Sequence, residues 1–415
     1  MSEQAQASTA TGEAAATDED EFGAFDDAIA ADVRDPYPEF ARARRETPVQ
    51  VLDASMMPHD DAQSVFLVYR YEDVARILRD DETFSSEQII DLIMGPVMGK
   101  HIILGMDGER HRRYRPLVST AFKRKGLARW ETELVENTAN GLIDRFADQG
   151  HAELVNQFTF PFPTQIIAGL LGLPREDHKQ FQKWSIAILG FLTKPDEGIV
   201  AAREVTEYVS VILEERRREP REDILSGLAH AELDGEKLSD EEIFSFVRLL
   251  LPAGVETTFR STGNLLLLLL SHPDQLEAVR TDRGLVPQAI EEALRFEIPL
   301  TLINRIAKVD TEIGGVPVPT GSTVMIMLGA ANRDETRYPE PDRFDIFRSD
   351  PKPHISFGLG PHSCLGLNLA RMEMRVALNL LLDRLPNLRL DPAAVNQHIR
   401  GQAFRSPTAI PVLFG

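Results

Sequence analysis

The segment Phe357-Gly358-Leu359-Gly360-Pro361-His362-Ser363-Cys364-Leu365-Gly366 sets the only cysteine of this 415-residue chain in a glycine-rich loop that runs directly into an apolar stretch. Glycines there permit tight turns and the close approach of a flat ligand, where a run of Cβ atoms would stand in the way. The following stretch, Leu367 to Leu385, has the pattern of a helix. A helix starting there aims its free N–H groups and the positive end of its dipole at the sulfur, which favours the thiolate. A thiolate so presented suits the axial position of a metal. The bland alternative for a lone cysteine is a buried, inert side chain.

A second informative stretch lies a hundred residues earlier. The longest apolar run, Leu249 to Leu270, is interrupted by Pro252, Glu256, Arg260 and Asn264, so it reads as a core helix and not as a membrane span. It opens at Ser239-Asp240-Glu241-Glu242, a capping box, and stops at His272-Pro273. From 239 to 271 such a helix spans roughly 50 Å and crosses the molecule. Leu250, Ala253, Gly254 and Thr257 fall on one face, which presents small residues to something flat. Pro252 leaves the Arg248 carbonyl without its N–H partner, so a bulge or kink is expected.

Together these residues resemble the cytochrome P-450 family, the haem-thiolate monooxygenases, whose signature Phe-Gly-x-Gly-x-His-x-Cys-x-Gly the chain fills at all six fixed positions. The resemblance covers about residue 30 onward. It implies a mainly helical prism with a smaller β region, and haem b (iron protoporphyrin IX) between the long central helix and the cysteine loop. Cys364 would be the iron ligand, with Phe357, Gly358, His362 and Gly366 framing it and Ala253 and Gly254 against the opposite face. Ala253-Gly254-Val255-Glu256-Thr257-Thr258 matches the family's distal motif, which makes Glu256 and Thr257 the proton-handling pair. Splitting dioxygen requires two protons delivered inside an otherwise dry pocket. The alternative has Thr257 bonding back to the Ala253 carbonyl and Glu256 paired with a neighbouring Arg or Lys.

Further residues enter by the same likeness. His111 and Arg115, one helical turn apart, together with Arg305 and His354, match positions that hold the haem propionates, each charge-assisted bond contributing about 1.5–3 kcal/mol. Gly108-Glu109-Arg110 stands where Pro-Pro-Glu is common. Glu292, Arg295 and Arg343 match a buried ionic triad of the scaffold, and Glu335 stands where the family usually shows Pro.

Composition sets the frame. The chain carries a net charge of −20. Residues 1–21 read as a disordered acidic tail and residues 22–415 as a single haem-binding domain. Neither a basic start nor an apolar leader is seen at the N-terminus, and one cysteine forms no internal disulfide, so a cytoplasmic protein without a stable membrane anchor is expected. Hairpin strands are expected at Val49–Leu52 and Ser64–Val68, a helix at Tyr71–Leu78, and β-rich pieces around Ile313–Val318, Val324–Met327 and Thr408–Leu413.

Electrons must come from elsewhere, since no flavin or nicotinamide segment is visible. Between His101 and Trp130 stand eight Lys or Arg, Arg110, Arg112 and Arg113 among them, against two acids. On so acidic a protein, this patch should attract an acidic partner, and the resemblance implies a ferredoxin with an NAD(P)H-dependent reductase. Nucleic acid is excluded as a partner by the total charge. The substrate is expected to be lipophilic, because the pocket positions implied are Ile89, Ile90, Ile93, Met94, Val97, Leu250, Leu300, Leu302, Ile303 and Phe404. Steroids, terpenoids, fatty acids and macrolides all remain open. The expectation is a monooxygenase inserting one oxygen atom from O2; a non-catalytic haem sensor or carrier and a peroxide-driven peroxygenase are the alternatives.

Overall fold

The computed structural model of the chain describes residues 32–52, 64–119, 122, 124–233, 235–395 and 397–415. The acidic segment 1–21 lies outside them, as do the side chains of Ile89, Ile90 and Ile93.

Helices dominate. Those that position the site are α1 (Tyr37–Glu46), α2 (Tyr71–Arg79), α3 (Glu87–Met98), α4 (Gly108–Ser119), α5 (Pro161–Leu170), α6 (Pro195–Arg218), α7 (Asp240–Ser271), α8 (Val286–Phe296) and α9 (Leu367–Arg384). The strands β1 (Val49–Leu52), β2 (Val65–Val68), β3 (Phe84–Ser85), β4 (Ile303–Ala307) and β5 (Thr323–Ile326) form one sheet in the order β1-β2-β5-β4-β3. β1 and β2 are the expected antiparallel hairpin, with Val49 opposite Val68. β5 joins it in parallel, Thr323 opposite Val65, and β4 and β3 complete the sheet antiparallel. Short antiparallel pairs at Thr311–Ile313 with Val316–Val318 and at Pro411–Leu413 with Arg389–Leu390 account for the other β-rich stretches.

The central helix α7 begins as the sequence dictates. Ser239 Oγ accepts from the Glu242 N–H at 3.4 Å while Glu242 Oε2 accepts from the Ser239 N–H at 2.8 Å, a complete capping box. His272 closes the other end before Pro273. The helix continues through Pro252 without a break, so the expected bulge is not present as an interruption; the proline removes one hydrogen bond while packing on the buried leucines around it holds the turn. Its side chains, from Leu249 and Leu251 to the run Leu265–Leu270, fill the main core, which α9 completes through Leu369, Met374, Leu378 and Leu381. The sheet carries a second core around Phe66, Val68, Val324 and Ile326. Tyr37, Phe40, Tyr69 and Met327 form a third beneath α1. Among the described residues no helix is long and apolar enough to cross a membrane.

Candidate functional site

The cysteine loop closes on itself through backbone bonds. The Cys364 N–H donates to the Phe357 carbonyl at 2.7 Å and Gly358 donates to Ile355 at 2.9 Å. Gly360 adopts φ +70°, and a Cβ there would meet the Leu78 carbonyl oxygen at 2.5 Å, so only glycine lets the loop lie against the end of α2. Side chains then hang the loop from the scaffold. Asn332 Oδ1 accepts from the Ile355 N–H at 2.9 Å, its Nδ2 donates to Ser356 Oγ at 2.8 Å, and Ser356 Oγ donates to the Leu294 carbonyl of α8 at 2.8 Å. Arg371, on the first turns of α9, lies 4.5 Å from the Phe357 ring centroid and grips Glu291 through two bonds of 2.6 and 2.8 Å.

Cys364 is exposed at the tip of this loop, yet the protein around it is dense. Burial pushes its thiol pKa up; the amides of Gly366 and Leu367 and the guanidinium groups of Arg115 and Arg371 oppose the rise without cancelling it. The helix N-terminus therefore tempers the desolvation of the sulfur but does not by itself make it anionic, which corrects the sequence expectation.

α4 packs a basic and imidazole-rich face against the loop. His111 is buried with its ring centroid 4.2 Å from that of His362, and Arg115 donates to the Ser363 carbonyl at 2.5 Å. Burial, followed by the charges of His362 and Arg115, brings His111 down to about 4, so its imidazole is neutral near pH 7. Asp107 joins the group: Ser85 Oγ and the Ser86 N–H donate to it, and His362 Nε2 stands 3.7 Å from its Oδ1. Burial raises the Asp107 pKa, but the bonds from His362, Ser85 and Ser86 outweigh it and hold the group at about 2. Arg305, on β4, is buried without an ion pair among the described residues and donates only to the Asn304 carbonyl; burial lowers it to about 10 against the pull of Asp107. His354 stands apart from this group. Its Nε2 lies 3.2 Å from Glu291 Oε2, and its Nδ1 accepts from the Ser356 N–H.

Within the apolar stretch 249–270 of α7 the accessible surface is confined to one place. Ala253 is exposed and Gly254 and Thr257 are half-buried, while Leu251, Pro252, Val255 and Glu256 around them are buried. The small-residue face is divided, however. A Cβ on Gly254 would fall 2.6 Å from Ile167 Cδ1, so that glycine serves the close approach of α5, and Ala253 and Thr257 alone front open space. Thr257 Oγ1 donates to the Ala253 carbonyl at 3.0 Å. Glu256 Oε1 accepts from Arg260 Nη2 at 3.1 Å, both side chains being almost wholly buried. Both contacts are those of the local alternative weighed from the sequence.

Three sequence expectations need correction. The triad contains Glu292 and Arg295, joined by two bonds of 2.8 Å, but its third member is Arg348, whose Nε donates to Glu292 Oε1 at 2.9 Å. Arg343 offers Arg295 only its carbonyl; its exposed guanidinium turns outward to Glu340 and Asp345, the acids that flank it in the chain. The basic patch is partly paired: Arg110 meets Glu87 of α3, Arg113 meets Glu236 and Arg129 meets Glu222, while Arg112 is exposed and without an ion pair among the described residues. Of the pocket positions, Leu302 packs on the third core with Tyr37 and Phe40, and Ile303 on the sheet core, each drawn there by the apolar side chains that surround it. Val97 and Leu250 are buried in the main core and Met94 packs against it, whereas Leu300 and Phe404 are half-buried and face each other as an isolated β-bridge. Glu335, where a proline was the usual residue, anchors α1 by pairing with Arg44 and Arg45.

These residues fit haem. Among the described residues, Nε2 of the buried His111 has no hydrogen-bond partner, Nε2 of His362 has only the long contact of 3.7 Å to Asp107, and the buried Arg305 guanidinium has no ion pair. Such donors suit the propionates of a porphyrin, while the exposed thiol is a ligand that could hold its iron. Fold and site thus define the class of haem-thiolate oxidoreductases.

The comparisons with known proteins agree. Residues 45–386 match the cytochrome P450 family model. The chain is 36% identical to the cytochrome P450 monooxygenase PikC of Streptomyces venezuelae over 378 residues, which cover 89% of this chain and 88% of that protein. It is 37% identical to a vitamin D(3) 25-hydroxylase of Pseudonocardia autotrophica, with 86% and 88% covered. The crystal structure of CYP109E1 from Bacillus megaterium in complex with testosterone superimposes with a TM-score of 0.83 at 30% identity, covering 92% of this chain and 99% of that one. The chain belongs to the cytochrome P450 family, and as such it is a haem-dependent monooxygenase.

Proposed function

We propose that the protein, as one haem-binding domain over residues 22–415, hydroxylates a steroid-like lipophile with O2 and electrons from a separate ferredoxin and its reductase. The steroid skeleton is supported by two relatives, a vitamin D(3) hydroxylase and a structure holding testosterone. The observation that carries the reading is the exposed Cys364 on a loop fixed by Asn332, Ser356 and Arg371, beside a group of propionate-compatible donors.

Haem bound there supplies dioxygen binding and cleavage, with the overall balance R–H + O2 + two electrons + two protons giving R–OH + H2O. The chain's residues do the rest. Cys364 would hold the metal, and the backbone bonds of the Phe357–Gly366 loop fix the cysteine in place. His111, Arg115, Arg305 and His362 would hold the two carboxylates. Thr257 releases the Ala253 carbonyl and turns its hydroxyl toward the pocket, where it donates a hydrogen bond and positions water. Glu256 takes a proton from outside water and passes it inward, for which its carboxylate has to leave Arg260. Leu300 and Phe404 line the apolar wall. Arg112, exposed and without an ion pair among the described residues, is the cation that α4 offers an acidic partner.

The test is a Soret-band titration of the purified ferric protein with steroids, terpenoids, fatty acids, macrolides and azoles, followed by turnover with a ferredoxin system. The expected result is a shift to shorter wavelength with steroids and substrate-dependent NADPH consumption that uncouples in Thr257→Ala. A shift only with another compound class refutes the steroid assignment. Turnover by hydrogen peroxide alone at the ferredoxin-driven rate refutes the oxygen-dependent mechanism, and binding without turnover under either regime makes the protein a carrier.

A further inference from the structure

We propose that Arg260 is the positioning residue for Glu256, and that it ties this carboxylate to the pocket wall at residues 404–406 so that pocket occupancy governs proton delivery, a role that rests on Glu256 being the proton donor proposed above. Glu256 and Arg260 lie one turn apart on α7. Arg260 is fully buried, and its two arms face different elements. Nη2 meets Glu256 Oε1 at 3.1 Å, whereas Nη1 donates to Ser406 Oγ at 2.7 Å. The guanidinium carbon also stands 5.5 Å from the ring centroid of Phe404 and 4.8 Å from that of Phe259. Phe404 in turn forms the bridge with Leu300, both being half-buried and at implied pocket positions.

The turn that carries Ser406 is itself firmly seated. Ser406–Pro407 pairs antiparallel with Ile399–Arg400, Pro407 lies within contact of the Cβ position of Gly263 one turn beyond Arg260, and Asn264 donates to the Arg405 carbonyl at 3.1 Å. A change in the Phe404 side chain is thereby transmitted to Arg260 more readily than it is absorbed by the turn.

The chemistry assigns the moving part. A guanidinium is a planar fork whose arms are fixed relative to one another, so rotation that strengthens one arm's bond weakens the other's. Arg260 is always charged, lies between two aromatic rings, and cannot reach water without breaking the packing of α7. The carboxylate is the partner that can swing. With the fork held by Ser406, Glu256 stays paired. When a ligand presses on Phe404 and turns the fork, the pair loosens and Glu256 is free to collect and deliver a proton. Protons are then spent only when substrate is present, which is the condition for coupled turnover.

The experiment compares the wild type with Ser406→Ala, Arg260→Lys and Glu256→Gln and with the Glu256→Gln/Ser406→Ala double variant. Ser406→Ala removes one hydroxyl from a small buried residue and leaves the Glu256–Arg260 pair, so it tests the link even if Arg260→Lys does not fold. Two readouts are taken: hydrogen peroxide released per NADPH oxidised with a ferredoxin system, and the infrared band of the Glu256 carboxylate in the ferric protein, assigned as the band lost in Glu256→Gln, with and without 4-phenylimidazole in the pocket. The expected result is that the band shifts on ligand binding in the wild type and not in Ser406→Ala, that Ser406→Ala releases at least threefold more peroxide per NADPH, and that the double variant equals Glu256→Gln. If Glu256→Gln alters peroxide release but Ser406→Ala behaves as wild type in both readouts, the link through Arg260 is overturned while Glu256 stands. If Glu256→Gln leaves peroxide release unchanged, it is the proton-donor reading that fails.

Discussion

Replacing Arg348 by Met should destabilise the fold far more than replacing Arg343 by Met. Arg348 donates to Glu292 at 2.9 Å and also to the carbonyls of Pro339, Glu340 and Arg343 at 2.6, 2.9 and 2.6 Å. Glu292 is buried, and without Arg348 it keeps Arg295 and the Asp345 N–H but loses one charge-assisted bond, about 1.5–3 kcal/mol. Three carbonyls left to water add about 0.5 kcal/mol each at the low end for partly exposed sites, giving a total of about 3–4.5 kcal/mol. The Arg343 side chain is 57% exposed and bonds only acids at the surface, so its loss should amount to under about 1 kcal/mol. For a chain of this length each kcal/mol moves the melting midpoint by roughly 1–2 °C, so Arg348→Met should melt about 3–9 °C lower and Arg343→Met within about 2 °C of the wild type. Urea unfolding of the holoprotein, followed by Soret loss and far-ultraviolet circular dichroism, measures both. Equal losses, or a larger one for Arg343→Met, would refute the placement of Arg348 in the triad.

Three further outcomes are expected. Asp107 is held at about 2 against an ordinary 3.8, so it contributes stability that is fully present above about pH 4 and disappears as pH falls through 2; the wild type should lose about 2 kcal/mol over that window, and Asp107→Asn should show no such loss in acid unfolding curves. Gly360→Ala should cost about 2 kcal/mol or more and accelerate haem transfer to apomyoglobin, since φ +70° disfavours a Cβ that would also strike Leu78, whereas Gly227→Ala, with nothing near its Cβ position in the helix Ile224–Ala229, should raise the unfolding midpoint slightly. Arg112→Glu should raise KM for ferredoxin severalfold with little change in the Soret titration, and Arg113→Glu, whose charge Glu236 already meets, should weaken the partner less.

Local signals in the sequence were read correctly because their physics is local. The capping box at Ser239 and Glu242, the stop before Pro273, the β1–β2 hairpin and the helix after Cys364 each depend on neighbours within a few residues. The site was legible where its residues sit on such elements: His111 and Arg115, one turn apart on α4, do face the cysteine loop. What escaped was set by distant pairings. Arg343 and Arg348 are five residues apart on an irregular segment, and only the path of that segment decides which guanidinium reaches Glu292. Arg110 and Arg113 look like a free basic face until Glu87 and Glu236 arrive from elsewhere in the chain. Asn332 and Asp107 carried no spacing that would single them out, because an anchoring amide or a buried carboxylate is recognised by what it touches. Gly254 illustrates the reverse error: the small-residue stripe was real, but a glycine admits a neighbouring helix as readily as a cofactor.

The parallel pairing of β5 with β2 also dictates a timetable for biosynthesis. Val65 meets Thr323, so during synthesis at about 5–20 residues per second the β1–β2 hairpin waits roughly 10–50 s before its partner strand emerges. Throughout that interval β2 offers an unpaired edge rich in Val, Phe and Leu, the kind of surface that recruits other nascent chains. Cys364 follows only after β5 has been made, so haem capture is a late event, and the yield of loaded protein in a cell should respond to chaperone supply and to slower growth temperature at least as strongly as to haem supply.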